Sequence, residues 1–233
     1  MDVSTETDKS IIVAIDGFSG CGKSTLAKDL AVALAYIHID SGSLYRAITL
    51  YFIRQSVDIS QKDSVAKALS FIDLHLTLID GISAPILNGV NVSNEIKSPA
   101  VAQLVSEVAA IEEVRNFLID KQRNFGKNKA VIMDGRDIGT VIFPEAELKL
   151  FITADMKVRV KRRLQELQDK GIDISSVEVG NNLEKRDRID STRKVSPLKK
   201  ADDAIVLDTS GLSREQQLEK AIQYVEDVVN GKT

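Results

Sequence analysis

The chain has 233 residues, with 31 Lys and Arg against 34 Asp and Glu, so its formal net charge is −3, and 43% of its residues are hydrophobic. These values are ordinary for a globular protein that buries a sizeable core, and they exclude global disorder. The longest uninterrupted apolar run, residues 30–37, has eight residues, whereas a membrane-spanning helix needs roughly 20. We therefore expect no membrane contact, and the weak charge gives no reason to expect nucleic-acid binding.

Cysteine and histidine are scarce. The single cysteine, Cys21, cannot form an internal disulfide, which favours a reducing compartment. A cysteine-rich zinc site is excluded, and the two scattered histidines, His38 and His75, do not indicate a His-rich metal site. Residues 1–10 are polar and resemble neither a secretory signal nor a transit peptide. We interpret them as a polar tail and expect a cytoplasmic protein.

The first half of the chain alternates strand and helix patterns. Residues 11–15 form a short β-branched apolar run ending at Asp16-Gly17, which is typical of a buried strand in a parallel sheet. The spacing then predicts a helix over 23–36, a strand over 37–39 and a helix over 43–55. This order predicts an α/β fold built on a parallel sheet.

The middle of the chain departs from that alternation. Residues 74–79 alternate as a strand, and residues 85–92 predict a hairpin that turns at Asn88-Gly89. We therefore interpret residues 59–98 as a β-rich insert. After it we predict helices over 99–110 and 112–125, strands over 130–134, 148–152 and 204–208, and a closing helix over 214–230.

Positive charge is concentrated in residues 156–200. This segment contains 13 basic and 7 acidic residues, a net charge of +6, which leaves −9 for the rest of the chain. Such a bias by itself is typical of a solvated helical face. In combination with the motif described next, it favours a segment that closes on phosphate groups.

Residues 17–24, Gly-Phe-Ser-Gly-Cys-Gly-Lys-Ser, match the phosphate-binding pattern G-x-x-x-x-G-K-[ST] between a predicted strand and a predicted helix. The glycines let backbone N–H groups converge on a phosphate at the positive end of the helix. Lys23 is expected to reach the β- and γ-phosphates, and the Ser24 hydroxyl to ligate Mg²⁺. The expected nucleotide-binding residues are Gly17, Phe18, Ser19, Gly20, Cys21, Gly22, Lys23, Ser24 and Thr25.

A phosphate-binding loop serves switches, ATPases and kinases alike. The chain has no N-K-x-D motif for guanine, and no glutamate follows the strand end Asp134-Gly135-Arg136-Asp137 to activate water. Scattered arginines instead suit a second anionic substrate. Arg186, Asp190 and Arg193 have i, i+4 and i+7 spacing, which places them on one helix face. That spacing alone also fits an intrahelical salt bridge, but beside the loop and the basic segment it favours a substrate clamp.

Six segments follow the order found in one enzyme family. They are Asp16-Gly17 with its loop, Asp40-Ser41-Gly42 with Tyr45-Arg46, Leu87-Asn88-Gly89 with Val92-Ser93, Ser106-Glu107-Val108-Ala109-Ala110, the run from Asp134 to Pro144, and Ser196-Pro197-Leu198. The chain resembles bacterial cytidylate kinases over residues 11–229, and D-G-R-D-x-G-T-V-x-F-P is the most specific of these motifs.

The resemblance implies a P-loop kinase that uses ATP and Mg²⁺ to phosphorylate CMP and dCMP. It implies a kinase core over 11–58 and 99–233, a nucleoside-monophosphate-binding insert over 59–98 and a helical lid over about 156–195. We expect small-molecule partners only, and a monomer. A P-loop kinase for another small acceptor, such as shikimate or another monophosphate, and a regulatory ATPase that transfers nothing stay open as alternatives.

The resemblance also implies roles for individual residues. Cytosine recognition is implied for Ser106, Arg115 and Asp137, with Tyr45 near the base. The acceptor phosphate is held by Arg46, Arg136 and Arg193, with Ser41, and the sugar is contacted by Arg186 and Asp190. The lid contains Arg159, Arg162 and Arg163. The expected catalytic residues are Lys23, Arg136, Arg193, Arg159 and Arg163, and the expected metal ligand is Ser24. A carboxylate facing the cytosine amino group, with Arg and Ser as donors, matches the hydrogen-bonding pattern of that base and disfavours uracil.

Overall fold

The computed structural model describes residues 10–79, 82–169 and 171–232, so all but the last residue of the expected polar tail lies outside the described residues. The elements, in chain order, are β1 (Ile12–Gly17), α1 (Lys23–Leu34), β2 (Ile37–Asp40), α2 (Ser41–Arg54), α3 (Lys62–Leu69), β3 (Leu74–Ile79), β4 (Ile82–Leu87), β5 (Val90–Asn91), a 3₁₀ turn (Glu95–Lys97), α4 (Pro99–Val108), α5 (Glu112–Asn124), β6 (Val131–Gly135), a π turn (Ile138–Ile142), β7 (Leu148–Thr153), α6 (Met156–Gln168), α7 (Ser176–Thr192), β8 (Ile205–Asp208) and α8 (Arg214–Val229).

Five parallel strands form the central sheet, in the order β2-β6-β1-β7-β8. The register pairs Asp16 with Gly135 and Asp40 with Asp134. Because parallel strands end at the same edge of a sheet, the loop after β1, the start of α2 and the segment after β6 meet there. The expected α/β fold with a parallel sheet flanked by helices is confirmed.

Both faces of this sheet are buried, as the apolar strands predict. Alternate residues of β1 point to opposite sides: Val13 and Ile15 pack in a cluster with α1 and α8, whereas Ala14 packs with Ile39 and Met133 on the other side. A strand covered on both faces needs a continuous apolar run rather than an alternating one. Among the described residues, no helix is long and apolar enough to cross a membrane.

The segment 59–98 contains an antiparallel sheet of order β3-β4-β5. The predicted hairpin is present, and its turn residues Asn88 and Gly89 both have positive φ, 48° and 80°, as a tight hairpin turn requires. The segment was expected to be β-rich, and it also contains the helix α3, which was not predicted. Its buried Val65, Ala68 and Leu69 continue into one cluster with the helices α2, α4 and α5.

The basic segment forms two helices, α6 and α7, that pack against each other near the loop after β1. A reciprocal capping box between Ser175 and Glu178 starts α7. The helix ends at Thr192, and Arg193 follows it with extended backbone, φ −61° and ψ 146°. Because φ of Arg193 keeps a helical value and its N–H still donates to the Ile189 carbonyl, its side chain leaves the same side of α7 as those of Arg186 and Asp190. Its Nη1 lies 3.7 Å from Asp190 Oδ1, so the expected shared face is retained.

Candidate active site

The loop between β1 and α1 has the conformation that its glycines predict. Gly17 has φ 148°, and a Cβ atom there would lie 2.1 Å from the backbone oxygen of Ile152. Gly22 has φ 95° and directly precedes α1. A side chain would clash at Gly17, and the positive φ of Gly22 is strained for other residues, so glycine lets the backbone fold tightly at the N-terminal, positive end of α1.

Lys23 is buried at the start of α1, with 5% of its surface exposed. Its Nζ donates to the backbone oxygen of Phe18 at 2.5 Å and lies 3.6 Å from Cys21 Sγ. Burial, and next the charge of Arg136, lower the pKa of the Lys23 ammonium. Two cations held so close together make this end of the cleft a favourable place for an anion.

Ser24 is joined to the sheet through Asp134, which also contacts His38. Its hydroxyl donates to Asp134 Oδ2 at 2.6 Å, and His38 Nε2 lies 2.7 Å from Asp134 Oδ1. Burial alone would raise the pKa of Asp134, but the hydrogen bond and charge of His38, the Ser24 hydroxyl and Lys23 hold it below its usual value. Sequence reasoning selected Ser24 but assigned no role to the side chains of Asp134 or His38.

The donor set around Ser24 suits a hard cation. A hydroxyl and a carboxylate are oxygen ligands of the kind that Mg²⁺ prefers, with the remaining positions filled by phosphates and water. Within the described residues, no group of three or more His, Cys, Asp or Glu could hold a metal ion. The residues therefore fit a magnesium ion that arrives with a nucleotide rather than one held by the protein alone.

Arg136 connects two parts of the site that are distant in sequence. Its Nη2 donates to the hydroxyl of Ser19 in the loop at 2.7 Å, and its Nε donates to Asp190 on α7 at 2.8 Å. The guanidinium thus lies between the phosphate-binding loop and the helix that carries the predicted acceptor contacts.

The three arginines assigned to the lid occupy different places. Arg159 lies against the loop itself: its Nη1 donates to the Ser19 carbonyl at 3.2 Å, it pairs with Asp187 at 2.5 Å, and its guanidinium lies 5.3 Å from the centre of the Phe18 ring. Arg159 therefore contacts the loop directly, and its assignment to the lid stays a prediction. Arg162 and Arg163 do line the cleft beside the loop.

Two connected cavities extend from the sheet edge. A cleft of about 730 Å³ is lined on the loop side by Ser19, Gly20, Gly22, Lys23, Ser24 and Thr25. A smaller pocket of about 80 Å³ is lined by Ser24, Asp40, Ser41, Gly42, Tyr45, Arg46, Val105, Ser106, Ala109, Arg115, Asp134, Gly135, Arg136, Asp137, Arg186, Asp190 and Arg193. All ten predicted substrate-binding residues line the smaller pocket, and several residues, Arg136 and Arg186 among them, line both cavities. Three of the predicted loop residues, Gly17, Phe18 and Cys21, do not line the cleft, and Cys21 is fully buried.

A buried ion pair forms the floor of the smaller pocket. Arg115 is completely buried; its Nη2 pairs with Asp137 Oδ2, and its Nη1 donates to the Ala109 carbonyl at 3.0 Å. The guanidinium also lies 5.4 Å from the centre of the Tyr45 ring. Burial raises the pKa of the Tyr45 phenol, so this residue presents a neutral aromatic group to the pocket.

The arginines around the pocket are only partly neutralised. Arg46 pairs with Asp40 at 3.0 Å, but the closest carboxylate oxygens to Arg193 are 3.6 Å away on Asp137 and 3.7 Å away on Asp190. Arg186 has a buried Nε without a hydrogen-bond partner. Burial, followed by the charge of Arg136, lowers the pKa of Arg186 to about 10. A second anion in this pocket would relieve that unfavourable accumulation of positive charge.

Asp16, which was predicted only as the end of a strand, holds the backbone of the segment after the pocket residues Arg136 and Asp137. Its two carboxylate oxygens each accept a backbone N–H, from Ile138 and from Gly139, at 2.8 Å. Burial raises its pKa to about 7, against the opposing effect of these two donors. The contact fixes the π turn that directly follows Arg136 and Asp137, a role that strand periodicity does not reveal.

Comparison with known proteins assigns this geometry to a family. The family model described as Cytidylate kinase matches residues 13–227. A cytidylate kinase of Parabacteroides distasonis is 50% identical over 214 residues, covering 90% of this chain and 93% of the relative. A cytidylate kinase of Phocaeicola vulgatus is 46% identical over 228 residues, covering 96% of this chain and 100% of the relative.

A solved structure supports the fold as well. An uncharacterised protein from Eubacterium ventriosum superposes with a TM-score of 0.51 at 15% identity, over 94% of this chain and 99% of the other. At that identity the likeness concerns the fold alone. The loop, the D-G-R-D segment and the match over residues 13–227 lead to one conclusion: the chain belongs to the cytidylate kinase family.

Proposed function

We propose that the chain transfers the γ-phosphoryl group of ATP to CMP or dCMP, giving ADP and CDP or dCDP. The observation that carries this proposal is the position of Arg136, which contacts Ser19 of the phosphate-binding loop and Asp190 beside the arginine-rich pocket. Phosphoryl transfer needs two anions in line, and a cation between them both positions the groups and offsets their repulsion.

The donor side uses the loop and the start of α1. Backbone N–H groups of the loop and Lys23 bind the phosphates of ATP, while Ser24 binds the accompanying Mg²⁺. When bound, Mg²⁺ supplies charge neutralisation and orientation of the phosphate oxygens. Arg162 and Arg163, which line the same cleft, add positive charge toward its outer side.

The acceptor side uses the smaller pocket. We assign the phosphate of CMP to Arg46, Arg136 and Arg193, with Ser41, and the sugar to Arg186 and Asp190. The incompletely paired guanidinium groups of Arg193 and Arg186 support this assignment, because a phosphate provides the acceptors that these donors lack.

Base recognition is assigned to the pocket floor. Asp137 accepts from the exocyclic amino group of cytosine, while Arg115 and Ser106 serve as donors and Tyr45 contacts the ring. Uracil would place a carbonyl oxygen against the Asp137 carboxylate, leaving two acceptors face to face in a buried site. Discrimination against UMP follows from that repulsion.

No strong general base is required for this reaction. The acceptor phosphate is already largely dianionic at neutral pH, because its second pKa is about 6. Lys23, Arg136 and Arg193 act as electrostatic catalysts, and exclusion of water by the helices α6 and α7 limits hydrolysis of ATP. We assign Arg163 to the charge-stabilising set, whereas Arg159 orders the loop through Ser19.

The domain assignments follow the same proposal. Residues 59–98 form the insert associated with monophosphate binding, and residues 156–195 form the lid. Among the residues of the insert that the structure describes, only Ile96 and Lys97 line the cleft, whereas α4 and α5 supply pocket residues. We therefore propose that the insert supports α2, α4 and α5 through its shared hydrophobic cluster. A cytoplasmic location and a monomeric state remain predictions.

A comparison of acceptors tests the proposed function. ADP release from saturating MgATP is measured with CMP, dCMP, UMP and AMP, and the buried acceptor at Asp137 predicts a kcat/KM for CMP at least about 100-fold above that for UMP. A preference for AMP, or for a non-nucleotide acceptor, would instead favour a different P-loop kinase. ADP release at an equal rate without any acceptor would favour the regulatory ATPase.

The matched variants are Lys23→Met and Lys28→Met. Both remove one lysine from α1, but Lys23 lies in the loop cleft, whereas Lys28 is exposed. Only Lys23→Met should abolish transfer. Thermal melting of both proteins shows whether the loss arises from chemistry or from unfolding.

A further inference from the structure

His38 is a buried histidine with no part in the reaction described so far. It is 9% exposed in β2, whereas the side chain of the other histidine, His75, is 55% exposed. Its Nε2 lies 2.7 Å from Asp134 Oδ1. Because an ionised carboxylate only accepts hydrogen bonds, Nε2 carries the proton and donates.

The same carboxylate contacts the phosphate-binding loop through its other oxygen. Asp134 Oδ2 accepts a hydrogen bond from the Ser24 hydroxyl at 2.6 Å. His38 and Ser24 therefore occupy the two oxygens of one buried carboxylate, and the rotation of that group depends on both. A Ser24 hydroxyl that donates to Asp134 has its lone pairs free for an electrophile.

The backbone of Asp134 does not need His38 to hold it. It is fixed by strand pairing with Asp40 and by the Ser41 hydroxyl, which donates to the Asp134 carbonyl at 2.7 Å. The contact with His38 thus acts on the side chain alone, through the torsion that orients the carboxylate plane. This is the arrangement by which an outer hydrogen bond orients a metal ligand.

We propose that His38 is a positioning residue for the metal ligand Ser24. By donating to Asp134 Oδ1, it orients the carboxylate whose other oxygen accepts the hydrogen bond from the Ser24 hydroxyl. That hydrogen bond turns the Ser24 lone pairs toward the Mg²⁺ bound with ATP. The inference rests on the proposed function, because it concerns the metal that accompanies the nucleotide. The proposal gives a role in the nucleotide site to His38 of β2, the strand that pairs with the strand carrying Asp134.

Calorimetric binding of ADP, with MgCl₂ or with EDTA, tests the proposal without catalysis. The wild-type chain should bind ADP more tightly with Mg²⁺. His38→Leu should lose about tenfold or more of that enhancement, the usual effect of removing such an outer partner, while its affinity in EDTA stays nearly unchanged. His38→Gln, which keeps an N–H donor near the position of Nε2, should retain most of the enhancement. The exposed counterpart, His75→Gln, is the matched control and should behave as wild type.

Several outcomes would overturn the proposal. An undiminished Mg²⁺ enhancement in His38→Leu means that the contact does not orient Ser24. An equal loss of affinity in MgCl₂ and in EDTA means that His38 only maintains the loop structure. If the wild-type chain bound no ADP under either condition, the proposed function itself would fail, which is a distinguishable result.

A spectroscopic arm keeps the test decisive even if His38→Leu does not fold. In the His75→Gln background His38 is the only histidine, so its ring ¹⁵N and ¹H signals can be assigned without ambiguity. Adding Mg²⁺ to the ADP complex should shift these signals, and the shift should disappear when Ser24→Ala is introduced. Signals that do not respond to Mg²⁺, or that respond equally without the Ser24 hydroxyl, contradict the proposal.

Discussion

Replacing Asp137 by asparagine tests the floor of the acceptor pocket, because the change preserves size and removes only charge. Arg115 is completely buried against Asp137, and its other described contacts are to neutral groups, the Ala109 carbonyl and the Tyr45 ring. Breaking a buried ion pair on one side costs about 3–5 kcal/mol. For a chain of this length, each kcal/mol lowers Tm by about 2–4 °C, so we expect a decrease of roughly 10 °C.

The same substitution should alter base selectivity. In Asp137→Asn the amide oxygen is drawn to Arg115, which leaves the amide N–H₂ facing the base. A hydrogen bond to a charged group contributes about 1.5–3 kcal/mol, so kcat/KM for CMP should fall by about 10- to 150-fold. Activity with UMP should fall less, because its carbonyl oxygen accepts from the new N–H₂ group. The KM for ATP should stay nearly constant, since Asp137 does not line the cleft beside the loop.

Two further variants separate stability from recognition. The double variant Arg115→Met/Asp137→Asn no longer contains a buried unpaired charge, so it should recover much of the lost Tm while remaining poorly selective. Asp120→Asn changes an exposed carboxylate on the same helix as Arg115 and should leave both properties unchanged. A wild-type Tm for Asp137→Asn would refute the buried pair, and an unchanged CMP-to-UMP ratio would refute the assignment of Asp137 to the base.

Two more predictions concern Arg136 and Asp16. A lysine at position 136 cannot contact Ser19 and Asp190 at once, so Arg136→Lys should lower kcat by about 100-fold or more while KM for ATP changes little. The exposed Arg188→Lys is the control. An Arg136→Lys variant with the same kcat as the control would contradict this role. Burial raises the native pKa of Asp16 from 3.8 to about 7, so the stability associated with its protonated form is present below pH 3.8 and is lost as the pH rises to 7. Chemical unfolding between about pH 4.5 and 8 should therefore show the free energy of unfolding of the wild type falling relative to that of Asp16→Asn as the pH rises. A difference between the two free energies that does not change with pH would contradict this.

The sheet and the loop could be predicted from the sequence because their signals are local. The β-branched run before the loop, the glycines of the loop and the Asn88-Gly89 turn each impose a conformation through their own chemistry. Helix α3 was not predicted, because eight residues with three buried apolar side chains give little periodic signal. The helix is stabilised by packing against α2 and α5. Such contacts between distant segments cannot be predicted from the spacing of apolar residues within α3.

The predicted substrate residues were found in one pocket, but their mutual contacts were not predictable. Helical spacing placed Arg193 on the face of Arg186, and it keeps that place as the C-cap of α7. Its 3.6 Å approach to Asp137, in another segment, has no signal in that spacing. A single histidine has no pattern, so the contact of His38 with Asp134 depends entirely on the neighbouring positions of β2 and β6. Long-range contacts of this kind follow from strand order, and strand order is not encoded in any one segment.

Helix α7 connects the two halves of the site within one turn. Asp187 Oδ1 accepts the backbone N–H of Ser19 at 3.3 Å, and three residues later Asp190 accepts from Arg136, which also holds the Ser19 hydroxyl. The loop that binds the donor and the pocket that binds the acceptor are thus attached to one rigid element. Because in-line transfer depends steeply on the separation of the reacting groups, a helix that positions both sides preserves that separation when the surrounding segments move.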